Sequence, residues 1–341
     1  MSWRFVTPEP SRPVQPRGRP SFSIAIAAYQ AAGTITAAVE SALAQTYPPV
    51  EVVVCDDGST DGLEEALGPL RERIVFLRRE HGGEAAAKNA AAGASTAEFV
   101  AFLDADDLYY PRRLEALAEL AAERPDLDVL TTNADLEIND EVVGTYYPDV
   151  TEFPVSDQAL AIVESDSTIF GAAAVRRTVF ESAGGLNEEL RSGDDWELWM
   201  RLTLGGAAVG LVDEPLYRYR VHESGTSADQ LGGARDTVQL FQSVLALSGP
   251  GSKERAAMES AVAGHRRNAA LTEAEHALRT GASDRRRRSL AIASGSGFPP
   301  RTRLKALVAA AFPGASARLL DQRERRTGLS RLRKPMPSQR R

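Results

Sequence analysis

At 341 residues, 43% of them apolar and 26% charged, the chain is long enough to bury a full core in one large domain or two smaller ones. A single cysteine, Cys55, excludes an intrachain disulfide and fits a reducing compartment. With only four histidines beside it, a zinc site of the Cys/His type is also excluded, so any metal has to be held largely by carboxylates.

The formal charge of −7 is unevenly spread. Residues 285–341 carry 16 Lys/Arg against Asp321 and Glu324, a net of +14, which leaves −21 on the rest. An acidic body with a basic end points to an anionic partner, membrane headgroups or nucleic acid, or else to a solvated terminus. The first twenty residues, rich in Pro and Arg, lack the apolar core of a signal peptide and read as a flexible tail. No run of about 18 apolar residues argues for a membrane span.

In chain order, "FSIAIAAY" (22–29) reads as a short buried strand, and Ile35, Val39, Ala42 and Leu43 then mark one face of a helix. "VEVVVCD" (50–56) is a strand rich in β-branched residues, followed by a helix beginning in "STDGLEEALGPL" with Ser59 or Thr60 as N-cap. "RIVFLRR", "GEAAAKNAAAGAS" and "AEFVAFLD" continue the alternation, and "PRRLEALAELAAER" reads as a helix with Pro111 at its start. The second half predicts a strand pair in "LDVLTTNADLEI" and "EVVGTYYP", a strand running into a short helix in "STIFGAAAVRRTVF", and a helix in "GDDWELWMRLTLGG". "AAVGLV" and "LYRYRVH" read as two further strands. Past Thr226 the signal is helical only, with "ASGSGFPPRTR" as a linker.

Strands alternating with helices predict a parallel sheet covered by helices, whose ligands sit at the carboxyl ends of the strands. Both "CDDGST" and "DADD" (Asp104, Asp106, Asp107) leave that edge. Converging carboxylates can hold a hard divalent cation, which cancels their mutual repulsion, or hydrogen-bond sugar hydroxyls and a base N–H.

Four stretches together carry a resemblance: "SIAIAAYQAAGTITAAVESALAQTYPPVEVVVCDDGSTDGLEEAL", "HGGEAAAKNAAAGASTAEFVAFLDADDLYYPRRLEAL", "GDDWELWMRL" and "YRVHESGTS". In order and spacing, over about residues 21–227, they resemble the family 2 glycosyltransferases of GT-A fold. The resemblance implies an α/β fold, a mostly parallel twisted sheet flanked by helices; beyond the stretch it covers, residues 228–283 read as a helical extension and 284–341 as a basic tail whose apolar residues among the arginines open an amphipathic reading. It implies a metal-dependent inverting transfer of a sugar from a nucleotide-diphosphate donor, a UDP-sugar by preference, to a glycan or lipid-linked acceptor in cell-surface polysaccharide or glycoconjugate synthesis. Mn²⁺ or Mg²⁺ is the implied cofactor, and no nucleic-acid partner is expected. A cytoplasmic location is expected, with a peripheral place on the inner face of the membrane as the reading the basic end opens.

Placed residue by residue, the resemblance puts Ala28 and Tyr29 in the nucleotide pocket, Tyr29 stacking on the base. Asp57 is implied as partner of the base N–H with Asp56 supporting the turn, and Lys88 as facing the base or phosphates. Asp104 is implied toward the ribose or sugar hydroxyls, Asp106 and His222 toward the metal, and Asp107 as a cap of the following turn. Asp195, with Asp194 as the alternate, is implied as the catalytic base, against the simpler reading that either one N-caps its helix. Ala27, Gln30, Lys88 and Asp194 depart from the family's usual proline, asparagine, arginine and glutamate. A phosphatase with an Asp-X-Asp nucleophile and a sugar-nucleotide-binding protein without catalysis are the alternatives left open.

Overall fold

A computed structural model describes residues 3–10, 18–149, 153–165, 168–221, 230–249 and 251–318. Two compact units divide the chain, residues 1–223 with 243–258 in the first and 224–242 with 259–341 in the second.

The first unit is built on one sheet. Its strands are β1 (Phe5–Val6), β2 (Phe22–Ala28), β3 (Glu51–Asp56), β4 (Val75–Arg78), β5 (Phe99–Asp104), β6 (Leu108–Tyr109), β7 (Val129–Ile138), β8 (Glu141–Thr145), β9 (Ala174–Arg176) and β10 (Val209–Arg220). The order is β1-β10-β7-β9-β5-β2-β3-β4, with β6 on β10 and β8 on β7. Strands β5, β2, β3 and β4 run parallel, as the alternating pattern predicts. Beyond them the sheet is mixed, because β9 enters antiparallel between β5 and β7. The interior strands β2, β3 and β5 are buried almost throughout, which is why they read as apolar runs without alternation. Each Ile or Val so buried contributes about 1.5–3 kcal/mol.

Helices α1 (Ile35–Leu43), α2 (Leu63–Ala66), α3 (Glu84–Gly93) and α4 (Arg113–Glu123) form the crossovers of the first half. They are followed by α5 (Gln158–Glu164), α6 (Arg177–Ser182) and α7 (Asp194–Leu204). Helices α8 (Gln230–Leu245) and α9 (Lys253–Thr280) are each divided between the units, and α10 (Arg285–Ser294) and α11 (Pro300–Ala311) belong to the second.

Several expectations are corrected. The first twenty residues are not all a flexible tail: Phe5 and Val6 pair with Val212 and Leu211, and Arg124 reaches Thr7 and Pro8. Neither Ser59 nor Thr60 caps α2, whose N-cap is Gly62 at φ 87°, since both hydroxyls are engaged with Gln30. Helix α4 begins at Arg113, two residues after Pro111. "AAVGLV" and "LYRYRVH" belong to one strand, β10, which carries register shifts around Pro215 instead of breaking there. Much of the predicted basic tail is helical, in α10 and α11. Residue His222 lies outside the described residues.

Candidate active site

The parallel register brings the carboxyl ends of β2, β3 and β5 level: Ala28 pairs with Asp56, and Ala27 with Asp104. The chain leaves this edge through four acid-bearing turns and helix starts.

At the end of β3, Asp56 is fully buried and accepts the Ser59 amide at 2.8 Å, the turn-supporting role expected of it. Its neighbour Asp57 turns the other way. Its carboxylate accepts the amides of Gly82 and Gly83 at 2.8–3.2 Å, and His81 Nδ1 lies 2.8 Å from Oδ2. Gly83 adopts φ 98°, a conformation that suits glycine and lets the two amides point at one carboxylate. The ring of His81 stacks on Tyr29 with centroids 4.1 Å apart. Tyr29, next to buried Ala28, is half exposed and presents an aromatic face at the strand edge. Gln30, at φ 51°, ties this corner together by exchanging hydrogen bonds with Thr60.

Residues 104–107 form a turn closed by the Asp107 amide on the Asp104 carbonyl. Asp107 does not cap the turn after it. Its carboxylate crosses to β10, accepting the Tyr217 hydroxyl and the Arg220 amide, each at 2.7 Å. Burial, reinforced by Asp104 and Asp106, pushes its pKa up to about 8 despite those donors. Tyr217 in turn accepts the Asp104 amide at 3.3 Å. Beneath the turn, fully buried Arg113 lies between the rings of Tyr109 and Tyr217 at 4.7 and 4.8 Å. It donates to Thr132 Oγ1 and to the Ala172 carbonyl.

Lys88 is neither solvated nor turned to open space. Its ammonium bridges Glu84 at 2.6 Å and Asp104 at 2.9 Å. Burial on its own lowers the ammonium, but Asp104, Glu84 and Asp194 outweigh it and hold the charge firmly in place.

Helix α7 brings the second acidic pair. Its N-cap is Gly193 at φ 74°, so neither aspartate occupies the N-cap position itself. Asp194 is buried, and its Oδ2 has no hydrogen-bond partner among the described residues. Burial, opposed by Lys88 and reinforced by Glu84 and Asp195, pushes it up to about 7. Asp195, half-buried, accepts the Trp196 amide at 2.7 Å through Oδ1. Its pKa is also raised, by burial first, against the charge of Lys88. Oδ2 sits over Gly171, where a Cβ would lie only 2.2 Å away.

Asp57, Asp104, Lys88, Asp194 and Asp195 thus belong to two adjoining corners of one strand edge, with Tyr29 at its rim. No three His, Cys, Asp or Glu residues among those described cluster into a cage for a metal. Both oxygens of Asp107 are committed, and Asp104 and half-buried Asp106 are the turn's other carboxylates. Such a donor set fits Mg²⁺ or Mn²⁺ shared with a diphosphate, since these ions take one or two protein carboxylates alongside phosphate and water.

Six contributors receive no role from the sequence. His81 and the Gly82–Gly83 amides meet Asp57 from 24–26 residues away, Gly171 seats Asp195, and Tyr217 and Arg113 brace the turn. Of these, only the glycine pair before a helix start was visible as a signal.

Residues 23–181 match the family described as Glycosyl transferase family 2. An uncharacterized glycosyltransferase of Rickettsia typhi is 27% identical over 66% of this chain and 72% of its own length. The hyaluronan synthase of Pasteurella multocida is 30% identical over 62% of this chain, which spans only 22% of that enzyme. Among solved structures, S. aureus TarS 1–349 in complex with UDP-GlcNAc superposes with a TM-score of 0.59 at 20% identity, covering 90% of this chain and 92% of that one. A Pyrobaculum calidifontis mannosyltransferase in complex with GDP-Man and Mn²⁺ gives 0.53 at 21% identity, covering all of this chain and 92% of the other. The fold is that of the GT-A enzymes, and the chain is a glycosyltransferase whose residues 23–181 match family 2.

Proposed function

We propose that the enzyme moves a sugar from a nucleotide-diphosphate donor, UDP-linked by preference, to an acceptor hydroxyl with inversion at the anomeric carbon. The observation that carries this reading is the pairing of two unlike acidic corners on one strand edge. In one, Asp57 meets several fixed donors beside a half-exposed tyrosine, and in the other Asp194 is buried with an oxygen that meets none among the described residues.

In this reading Tyr29, with His81 behind it, stacks on the base, and Asp57 fixes the surrounding loop while a remaining lone pair accepts the base N–H. Asp104, held by Lys88, faces the sugar hydroxyls. Asp106, with His222, would hold Mn²⁺ or Mg²⁺, whose chemistry when bound is to offset the negative charge that grows on the diphosphate. Asp195 takes the proton from the acceptor hydroxyl as its oxygen attacks, on the face opposite the leaving group. Its raised pKa makes it a better proton acceptor than an ordinary aspartate, and the Trp196 amide fixes its direction. Asp194 and Lys88 set the field around it.

Hyaluronan and chondroitin synthases among the relatives support a role in polysaccharide or glycoconjugate synthesis. A cytoplasmic enzyme that meets a glycan or lipid-linked acceptor at the inner face of a membrane belongs to the same reading.

Asp195→Asn tests it. Turnover should fall by about 10²–10⁴-fold, while UDP affinity in the presence of Mn²⁺ stays at the wild-type level by titration calorimetry. Unchanged turnover would remove Asp195 as the base. Failure of the wild-type protein to bind UDP or any UDP-sugar would overturn the donor.

A further inference from the structure

We propose that the α10–α11 hairpin of the second unit is a docking face for an anionic lipid bilayer. The proposal extends the membrane placement above to a defined surface and does not depend on the transfer chemistry.

Helix α11 is amphipathic in an unusual sense. Ala306, Ala309 and Ala310 are buried, and Ala306 packs with Ile292 of α10 and Ala274 of α9 in one small core. The opposite face carries Leu304, Leu307, Val308 and, at the C-cap, Phe312, each 49–66% exposed. Their spacing of i, i+3, i+4 and i+8 makes one stripe. Leu290 of α10, half exposed, extends it across a groove of about 430 Å³ between the helices, lined also by Ala293 and Pro300. Small residues are therefore spent on the inside and large apolar ones on the outside, the reverse of what folding alone asks.

Charge identifies the occupant. Exposed Arg301 and Lys305 lie along one flank of the stripe, Arg303 along the other, and Arg286 and Arg287 precede Leu290 by four and three residues. Between residues 285 and 318 there are eight Arg/Lys and no acid. Arg288 is held by Glu273 and Asp284, Arg287 lies 3.7 Å from Asp284, Arg285 and Arg303 donate to backbone carbonyls, and no ion pair is formed by Arg301, Arg303 or Lys305 with a described residue. A second copy of this face would bring like charges together. Residues 319–341, with eight Arg/Lys and two acids, would do the same. An anionic headgroup layer over acyl chains satisfies both features: leucines and phenylalanine enter the boundary while long basic stems reach the phosphates. No described helix is long and apolar enough to cross a membrane, so the contact is interfacial.

Co-sedimentation of the full chain with vesicles tests this, comparing pure phosphatidylcholine with a mixture one-third phosphatidylglycerol. The wild-type protein should pellet with the anionic vesicles, lose most of that binding at high salt, and pellet weakly with the neutral ones. Arg301→Gln/Lys305→Gln should weaken binding by about 25-fold, at about fivefold per basic residue. Leu304→Glu/Leu307→Glu should abolish it. All four positions are exposed, so an unchanged far-UV spectrum is expected and checks the fold. Equal pelleting of wild type and both variants, no pelleting with anionic vesicles, or a wild-type dimer that Leu304→Glu/Leu307→Glu dissolves would each overturn the proposal. UDP binding on the same samples reads the transfer reaction separately, so failure of one proposal is distinguishable from failure of the other.

Discussion

Two Asp-Asp pairs sit at adjoining corners of the same strand edge, and the surroundings of Asp57 are nearly the inverse of those of the second pair. Asp57 meets two backbone amides and an imidazole, while Asp56 accepts the Ser59 amide through Oδ1 and has an Oδ2 with no hydrogen bond among the described residues, 3.6 Å from Arg78 Nε. Asp194 of the second pair has an oxygen with no hydrogen bond among the described residues, and Asp195 has one amide and a bare glycine beside it. A carboxylate whose lone pairs are filled by fixed donors is stable as an anion and rigid, which suits a binding pocket. One that is buried and under-donated holds its proton more tightly, which suits a group that must accept one. In the proposed reading, the same dipeptide serves as a scaffold at one corner and as a base at the other because of what the rest of the fold supplies.

The largest way to break this contrast is at Gly171. In Gly171→Ala the new methyl group would occupy the space of Asp195 Oδ2, and the flexible carboxylate, not the backbone, has to turn away. A displacement on the order of 1 Å costs about 100-fold in kcat. The KM for the donor should stay unchanged in steady-state kinetics. An equal loss in Tm and kcat would mean that the glycine serves packing and not the base.

At the first corner, Asp57→Asn replaces one oxygen by an amide that faces N–H donors, leaving at least one of the Gly82 and Gly83 amides unsatisfied. The cost is about 1–3 kcal/mol. It should appear as a lower Tm together with a raised donor KM, because the β4–α3 connection loosens where the base binds. A kcat effect with KM untouched would contradict the scaffold role.

Lys88→Met sharpens the electrostatic half of the comparison. The acid limb of the kcat profile should lie above the ordinary aspartate range, since burial raises Asp195 and its neighbour Asp194. Lys88 lowers both, while Glu84 raises them and Asp104 acts in the same direction on Asp195. Removing the cation should move the limb to higher pH. A limb that stays in place would mean that another group limits the rate.

How much of this was legible depends on the range of the interactions. The parallel half of the sheet, the acid turns at its edge and the start of α7 are written in local runs: β-branched stretches, Asp clusters and a glycine before two acids. The partner of each acid is not local. Asp107 finds Tyr217 and Arg220 more than a hundred residues away, on a strand that reads as two pieces because Pro215 interrupts its pattern. Arg113 resembles any charge on a helix surface until the rings of Tyr109 and Tyr217 close over it. Lys88 was legible in part, as the end of an "EAAAK" pair with Glu84 four residues before it, but its second bond to Asp104 depends on tertiary contact.

The smallest effect has the most telling sign. Asp194 has a pKa raised from the ordinary aspartate value to about 7, so between about pH 4 and pH 7 the folded protein holds a proton that the unfolded chain has released. Stability contributed by this group is therefore present at low pH and lost as pH rises through that window. Asp194→Asn removes the titration: its Tm at pH 8 should equal or exceed that of the wild type by a few degrees at most, while at pH 5 the two should converge. Asp57→Asn should lower Tm at pH 8, because there the lost anion was the well-donated one. Opposite signs for two Asp→Asn changes on one strand edge would be the thermodynamic signature of a well-donated scaffold carboxylate and a buried, under-donated one. Equal signs would mean that Asp194 is held by interactions that outweigh its burial.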